Sequence, residues 1–163
     1  MFTVRRRKGQ ALVEMALMAP LLFLFVMCGL VNFGFAFYRY ITLQQAVNSA
    51  AMWGAEKKGT VTGTVTSYDI MGWLRSTERP PLPPWWSRSE IESIQVSVPN
   101  PLPETSDRSA KIVVVTFTFD SPLYTPFYQV LFEKINGKKA IPMVVRAAFQ
   151  IPRNTLGAAY YED

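Results

Sequence analysis

The stretch that decides the fold is Arg5-Arg6-Arg7-Lys8-Gly9-Gln10-Ala11-Leu12-Val13-Glu14, four cations and a glycine at the start of a long apolar run. From Met15 to Tyr38 there are 24 residues without a charge, and Arg39 ends the uncharged segment. As a helix, those residues would span roughly 36 Å, whereas the hydrocarbon layer of a bilayer is about 30 Å thick. The sequence therefore predicts a transmembrane helix, with its span at about residues 11–38.

The apolar run ends in aromatic residues, not in the small residues that precede the cleavage site of a secretory signal. Aromatic side chains gather at membrane–water interfaces, and here they are Phe33, Phe35, Phe37, Tyr38 and Tyr40. We therefore expect a retained anchor. Because four cations directly precede the span, the positive-inside rule places residues 1–9 in the cytoplasm and the chain after about residue 38 on the exported side.

Glu14 is unusual, because a carboxylate in a spanning helix costs up to a few kcal/mol on insertion scales. If the chain were cut after Gly9, a new α-amine at Gln10 would be cationic near neutral pH and would lie one helical turn from Glu14. The two groups could form an ion pair within one chain or across two neighbouring chains. The alternative is a signal-anchored protein in which Glu14 merely meets the positive end of a helix, a contribution of some tenths of a kcal/mol.

The segment Lys8-Gly9 followed by Gln10-Ala11-Leu12-Val13-Glu14 resembles the processing site of type IV prepilins, with glycine before the cut and glutamate fifth after it. The continuation Ala16-Leu17-Met18-Ala19-Pro20-Leu21-Leu22 and the pair Phe33-Gly34 are similar to the TadE-like minor pilins (pseudopilins) of the Tad/Flp tight-adherence pilus system. The resemblance covers about residues 5–58. It departs from the family at Asn32, where a glutamate is common.

The resemblance implies a minor pilin that a prepilin peptidase cuts between Gly9 and Gln10 and that takes part in assembly or priming of a Tad-type (type IVc) adhesion pilus. Its implied partners are that peptidase, other minor pilins, the major Flp-type pilin and the assembly platform in the bacterial inner membrane. The C-terminal domain would be periplasmic, or extracellular in a pilus. The competing hypothesis is an unprocessed bitopic protein whose periplasmic domain binds a ligand or another envelope component.

The net charge of +5 suggests nucleic acid or anionic lipid as a partner. However, the first nine residues hold four of the 17 cations, and the remainder has 13 cations against 12 carboxylates. Nucleic-acid binding is therefore not expected. The sequence has no histidine, its one cysteine is Cys28 in the span, and no phosphate-binding glycine loop occurs. We expect a protein that is not an enzyme and holds no cofactor or metal, with Cys28 as a small apolar filler.

Pro20 lies inside the apolar run and removes one backbone hydrogen bond, which predicts a kink near residues 16–20. Beyond the span, the helix is predicted to continue to about Lys58, so that residues 10–58 form one long helix. Arg39 and Thr42 are expected to face away from its partner. The apolar stripe that recurs at steps of three or four is Phe37, Tyr40, Leu43, Val47 and Ala50.

Residues 59–163 are predicted to form a small exported domain, packed on the long helix. Its antiparallel strands are expected at about 94–98, 111–119 and 141–151. A capping box at Thr66-x-x-Asp69 begins a short helix to about residue 76. A second helix is expected between Thr125-Pro126 and Asn136-Gly137, and its apolar face is Phe127, Val130, Leu131 and Ile135. The fold class is therefore α+β, with a long N-terminal helix as a pilin-like spine.

Trp85 and Trp86 follow a proline-rich stretch at residues 80–84. Tryptophan anchors many protein interfaces, so the pair is a candidate contact for a partner subunit. The alternative is that both indoles pack over their own domain.

Overall fold

A computed structural model describes residues 3–59, 64–76, 82–104 and 110–151. Helix α1 runs from Thr3 to Trp53, continues through Pro20, and is followed by a π-helical turn, Gly54–Gly59. The remaining elements are α2 (Ser67–Leu74), α3 (Arg88–Ser93), β1 (Gln95–Ser97), β2 (Ile112–Pro122), α4 (Pro126–Asn136) and β3 (Ala140–Gln150). Long helix, small sheet and short helices together confirm the predicted α+β fold. Within the described residues, one helix is long and apolar enough to cross a membrane, by length and composition.

The chain divides into two compact units. The first unit comprises residues 1–37 and 122–140, and so combines the amino-terminal part of α1 with α4. The second unit comprises residues 38–121 and 141–163, which include the remainder of α1, the two short helices and nearly all of the sheet. The predicted division into leader, long helix and exported domain concerns processing and topology, and it stays a prediction.

The sheet is antiparallel with the order β1-β2-β3, so β2 is the central strand. The pairing of β1 with β2 places Val96 opposite Phe117. Three consecutive residues of β2, from Val113 to Val115, are buried, which is expected of a strand covered on both faces. In β3 the buried residues alternate with exposed ones, because only one face of that strand is covered.

In the second unit, α1 contributes a stripe of buried residues with almost no exposed surface, namely Leu43, Ala46, Val47, Ala50 and Ala51. The predicted stripe was wrong at its beginning. Tyr40 is exposed, whereas Arg39 and Thr42 are buried. Each of the two residues has a polar partner: the Thr42 hydroxyl donates to the Arg39 carbonyl at 2.9 Å, and Nη2 of the Arg39 guanidinium pairs with Glu90.

The capping box that was predicted for α2 is confirmed. The Asp69 N–H donates to the Thr66 hydroxyl at 3.3 Å, and the Thr66 N–H donates to the Asp69 carboxylate at 3.0 Å. These two bonds satisfy donors that the first turn of a helix leaves free.

Gly54 allows the end of α1 to approach the rest of the second unit closely. A Cβ at this position would lie 3.2 Å from Val113 Cγ1, 3.3 Å from Ile70 Cδ1 and 3.4 Å from Val65 Cγ1. The glycine therefore brings the helix against β2, α2 and the segment before α2.

The bounds of α4 are confirmed, and most of its predicted apolar face is exposed. Pro126 occupies the first turn, and Gly137 ends the helix with φ 69°, donating its N–H to the Glu133 carbonyl at 2.9 Å. Of the four residues of that face, Leu131 is half-buried and three are exposed: Phe127 (55%), Val130 (52%) and Ile135 (68%). Tyr128 is buried in their place, because its ring packs against α1 at Gly29.

Candidate functional site: the amino-terminal half of α1

The amino-terminal half of α1 has an apolar surface that the described residues leave largely uncovered. Every residue from Gly9 to Met27 is exposed, and most of these side chains are leucine, methionine, phenylalanine, valine or alanine. A continuous apolar surface of this length is characteristic of a surface that contacts lipid or another protein. The site therefore begins with a helix that requires an apolar environment.

Two predicted site residues lie together at the start of that surface. The Gln10 side-chain amide donates to Glu14 Oε1 at 3.1 Å, across one helical turn. Both side chains are exposed. The structure therefore brings Gln10 and Glu14 together through a side-chain amide, the arrangement expected of residues four apart on a helix. The predicted ion pair, which uses the backbone amine of a cut chain, stays a prediction.

Gly9 has no packing role in the described structure. A Cβ at this position would meet no atom within 4 Å, and the residue lies within α1, where glycine is less favourable than alanine by about 1 kcal/mol. Gly9 therefore weakens the helix without allowing any close contact inside the chain. Pro20 is exposed on the same helix, and the bend that it predicts stays a prediction.

The two tryptophans have different environments. Trp86 is 4% exposed and packs against Phe119, with ring centroids 5.0 Å apart. Trp85 is 42% exposed and stacks on Tyr38 at 5.3 Å. Trp86 is thus covered by its own unit, as the alternative interpretation expected. In this conformation only Trp85 presents surface to a partner.

The sequence did not predict a partly buried ion pair in the second unit. The Arg39 guanidinium donates to Glu90 Oε1 and lies 5.5 Å from the ring centroid of Trp86. Partial burial alone would raise the pKa of Glu90, but hydrogen bonds from the Ser87 N–H and hydroxyl, together with the Arg39 charge, outweigh it. The pKa of Glu90 therefore lies below its ordinary value. The motif Ser87-x-x-Glu90 could have predicted this part of the chain, because it is a capping box that begins α3. Helix α3 was not predicted from the sequence.

Asn32 is a second polar residue whose role was not predicted. It is 2% exposed. Its Oδ1 accepts from the N–H of Tyr124 at 2.7 Å and of Thr125 at 3.3 Å. Its Nδ2 donates to the Cys28 carbonyl at 2.7 Å and to the Thr125 hydroxyl. This one amide therefore fixes the start of α4 on α1. The feature of the sequence that could have indicated this role is that Asn32 is a single carboxamide inside an otherwise apolar segment.

The second unit also has a groove of about 770 Å³ beside the end of α1. Trp53 and Trp73 stack across it at 6.0 Å, with Glu56, Lys57 and Asp69 at its edge. Among the described residues no cluster of three or more histidine, cysteine, aspartate or glutamate side chains could hold a metal ion. The groove has a mixed polar and aromatic lining.

Comparison with known proteins finds a family match for one segment of the chain. No curated protein and no solved structure matches the sequence. Residues 9–52, which include Gly9, Glu14 and the exposed apolar half of α1, match the family model of the TadE-like proteins, and this match confirms the resemblance over that segment.

Proposed function

We propose that this chain is a minor pilin or pseudopilin that is inserted in the inner membrane by α1, cut after Gly9 by a prepilin peptidase, and used in assembly or priming of a Tad-type adhesion pilus. The TadE-like match indicates a protein associated with the Tad pilus system. The observation that carries the finer proposal is the uncovered apolar half of α1, with Gly9 and Glu14 at its beginning. The apolar surface of such a helix can contact lipid before assembly and the helices of neighbouring pilins after assembly.

The catalytic groups of the cleavage belong to the peptidase, and this chain is the substrate. Water adds across the peptide bond between Gly9 and Gln10, which releases a carboxylate on Gly9 and an α-amine on Gln10. Gly9 lies exposed, and a Cβ there would meet nothing. A residue without a side chain permits close approach of another backbone. The glycine is therefore explained by the needs of an external enzyme rather than by packing.

The cut changes the environment of Glu14. The new amine is cationic near neutral pH and, with α1 unchanged, begins one turn before the carboxylate. In lipid an unpaired carboxylate costs up to a few kcal/mol, less near the interface than at the centre. Pairing between the amine of one subunit and Glu14 of its neighbour would remove that cost only on assembly. The ion pair thereby couples extraction from the membrane to growth of the polymer with other minor pilins and the major Flp-type pilin.

Intact mass of the membrane-extracted protein, with and without the peptidase, tests the processing step. We expect loss of residues 1–9 when the peptidase is present, and no loss for Gly9→Val. Gly34→Val is the matched control, because a Cβ at Gly34 also meets nothing within 4 Å, and this variant should be cut normally. If the mature wild-type protein retains its first nine residues, the pilin proposal fails.

Substitution of Glu14 tests the assembly step separately. Glu14→Ala and Glu14→Leu should insert in the membrane and be cut as the wild type is, yet reduce the filaments recovered by shearing. Glu56→Ala, at an exposed carboxylate that follows α1, should leave assembly unchanged. Wild-type filament yield in the Glu14 variants would refute the pairing mechanism and leave the processing result standing.

The second candidate function is an unprocessed bitopic protein with a ligand-binding periplasmic domain. The groove beside Trp53 and Trp73 favours it, since stacked aromatic side chains can bind planar or apolar groups. The mass measurement distinguishes the two, because this second function requires the first nine residues to remain.

A further inference from the structure

The exposed apolar face of α4 lies directly beside the apolar surface of α1. Its members Phe127, Val130 and Ile135 are each more than half exposed. These residues adjoin the apolar surface of α1, because α4 and the amino-terminal part of α1 belong to the same compact unit. A single apolar environment would cover both surfaces.

Specific contacts hold α4 against α1. The Tyr128 hydroxyl donates to the Phe25 carbonyl at 3.2 Å, and a Cβ on Gly29 would lie 2.6 Å from that hydroxyl. The Phe25 ring packs edge-on against Phe127 at 5.3 Å. Asn32 binds the backbone just before the helix. The position of α4 along α1 is therefore set between residues 25 and 32.

That position corresponds to a definite depth. If the hydrocarbon layer begins at Ala11, its thickness of about 30 Å ends near residue 31, and if it begins at Met15 it ends near residue 35. Phe25, and with it Phe127, then lies about 9 to 15 Å inside the hydrocarbon boundary. Asn32 lies close to the boundary. Interfacial helices insert their apolar face to depths of about 5 to 10 Å. Phe127 lies at a similar or greater depth, whereas Phe132, whose ring centroid is 6.2 Å from that of Phe33, lies nearer the boundary.

Two further features favour lipid over another occupant. A groove of about 600 Å³ runs along α1, and its lining is Phe127 and residues of the predicted span alone: Met15, Met18, Ala19, Leu21, Leu22, Leu24, Phe25 and Cys28. The carboxyl-terminal end of α4 and the residues just after it are basic, since residues 126–140 contain Lys134, Lys138 and Lys139 against the single carboxylate of Glu133, with which Lys139 pairs at 3.5 Å. Lipid acyl chains can occupy the apolar groove, and phosphate headgroups can pair with the lysine ammonium groups.

We propose that α4 is an interfacial membrane helix, with Phe127, Val130 and Ile135 in the lipid of the leaflet that contains the carboxyl-terminal end of the span. The inference rests on the membrane insertion that is part of the proposed function. The chain would then be attached to the bilayer by two elements, the span and α4.

The test measures lipid exposure of spin labels on the full chain in vesicles of phosphatidylethanolamine and phosphatidylglycerol. In a Cys28→Ala background, labels are placed by Val130→Cys and, as a second reporter, Ile135→Cys. Glu133→Cys is the control on the exposed polar face of α4, and Leu21→Cys is the control in the span. The readout is the ratio of collision rates with oxygen, which concentrates in lipid, and with a water-soluble nickel chelate.

We expect ratios at Val130 and Ile135 close to that at Leu21 and several-fold above that at Glu133. If Leu21 is in lipid while Val130 and Ile135 match Glu133, α4 lies in water and the inference is overturned, with membrane insertion intact. Low collision rates with both reagents at Val130 and Ile135 would mean that a second copy covers the face, which also overturns it. A water-like ratio at Leu21 would overturn membrane insertion itself, and the inference with it.

Discussion

Replacement of Asn32 by leucine should release the start of α4 from α1. The side chain is buried and receives the N–H groups of Tyr124 and Thr125 on a single oxygen. Leucine has the same branched arrangement of heavy atoms as asparagine but no polar atom, so both N–H groups lose their acceptor. The Thr125 hydroxyl also loses the donor that it has from Asn32, and it makes no compensating bond to the first turn of α4.

The magnitude follows from those lost bonds. A buried donor left without a partner costs about 1 to 3 kcal/mol, whereas side-chain hydrogen bonds within membranes average about 0.6 kcal/mol and reach about 1.7. The shorter of the two amide bonds, at 2.7 Å from Tyr124, justifies a value near the upper end of the membrane range. Two bonds then give about 2 kcal/mol, which corresponds to about a 30-fold change in the local opening equilibrium.

Hydrogen exchange of the Tyr124 and Thr125 amides, followed by NMR on the full chain in lipid nanodiscs, measures this opening. Asn32→Leu should accelerate exchange at both amides by about 30-fold when exchange reports on local opening. Asn48→Leu is the control, because Asn48 is exposed on the same helix, and it should leave both rates unchanged. If Asn32→Leu also leaves them unchanged, Asn32 does not hold α4, and the depth assigned to that helix loses its support.

Two further predictions concern the second unit, with unfolding measured by thermal or chemical denaturation in detergent. Because the pKa of Glu90 is lowered on folding, its stabilisation is present above the ordinary pKa of about 4.3 and is lost as the pH falls through the lower folded value. The stability difference between wild type and Glu90→Gln should therefore shrink below about pH 4.3, and a difference that stays constant with pH would contradict the argument. Gly54→Ala should destabilise the fold, since crowding a packed site costs about 1 to 3 kcal/mol and exceeds the helix-propensity gain of about 1 kcal/mol. Gly72→Ala, where a Cβ meets nothing within 4 Å, should gain stability, and equal effects at the two glycines would refute the packing argument.

Helix ends and strand patterns could be predicted because they depend on nearby residues. Pro126 and Gly137 are recognisable from backbone chemistry alone, and both lie at the expected ends of α4. The capping box at Thr66 and Asp69 is equally local. Helix α3 was omitted, although Ser87 and Glu90 form the same motif, because its six residues carry no buried apolar face.

The buried faces of the helices could not be predicted, because they depend on distant partners. Around Arg39 the helix is apolar on several sides, so periodicity did not distinguish a stripe beginning at Tyr40 from one beginning at Arg39. Arg39 is turned inward because it pairs with Glu90, which lies 51 residues further along the chain. Periodicity likewise grouped Phe127 with Val130, whereas the fit of the Tyr128 ring over Gly29 turns both outward.

The outward face of α4 has a consequence for the proposed role in the pilus. Burying an apolar side chain completely is worth about 1.5 to 3 kcal/mol. Since Phe127, Val130 and Ile135 are each more than half exposed, moving these surfaces from lipid to water costs about 3 to 5 kcal/mol together. In a filament whose neighbouring subunits cover only α1, the exposed side chains of α4 would remain in water. Pairing at Glu14 would not compensate for the cost of that exposure. A subunit with both elements in lipid is therefore better suited to begin a filament at the membrane than to be distributed along its shaft. We accordingly expect the cut protein to remain in the membrane fraction when filaments are sheared away, and enrichment in the sheared filaments would show that a neighbour covers α4 as well.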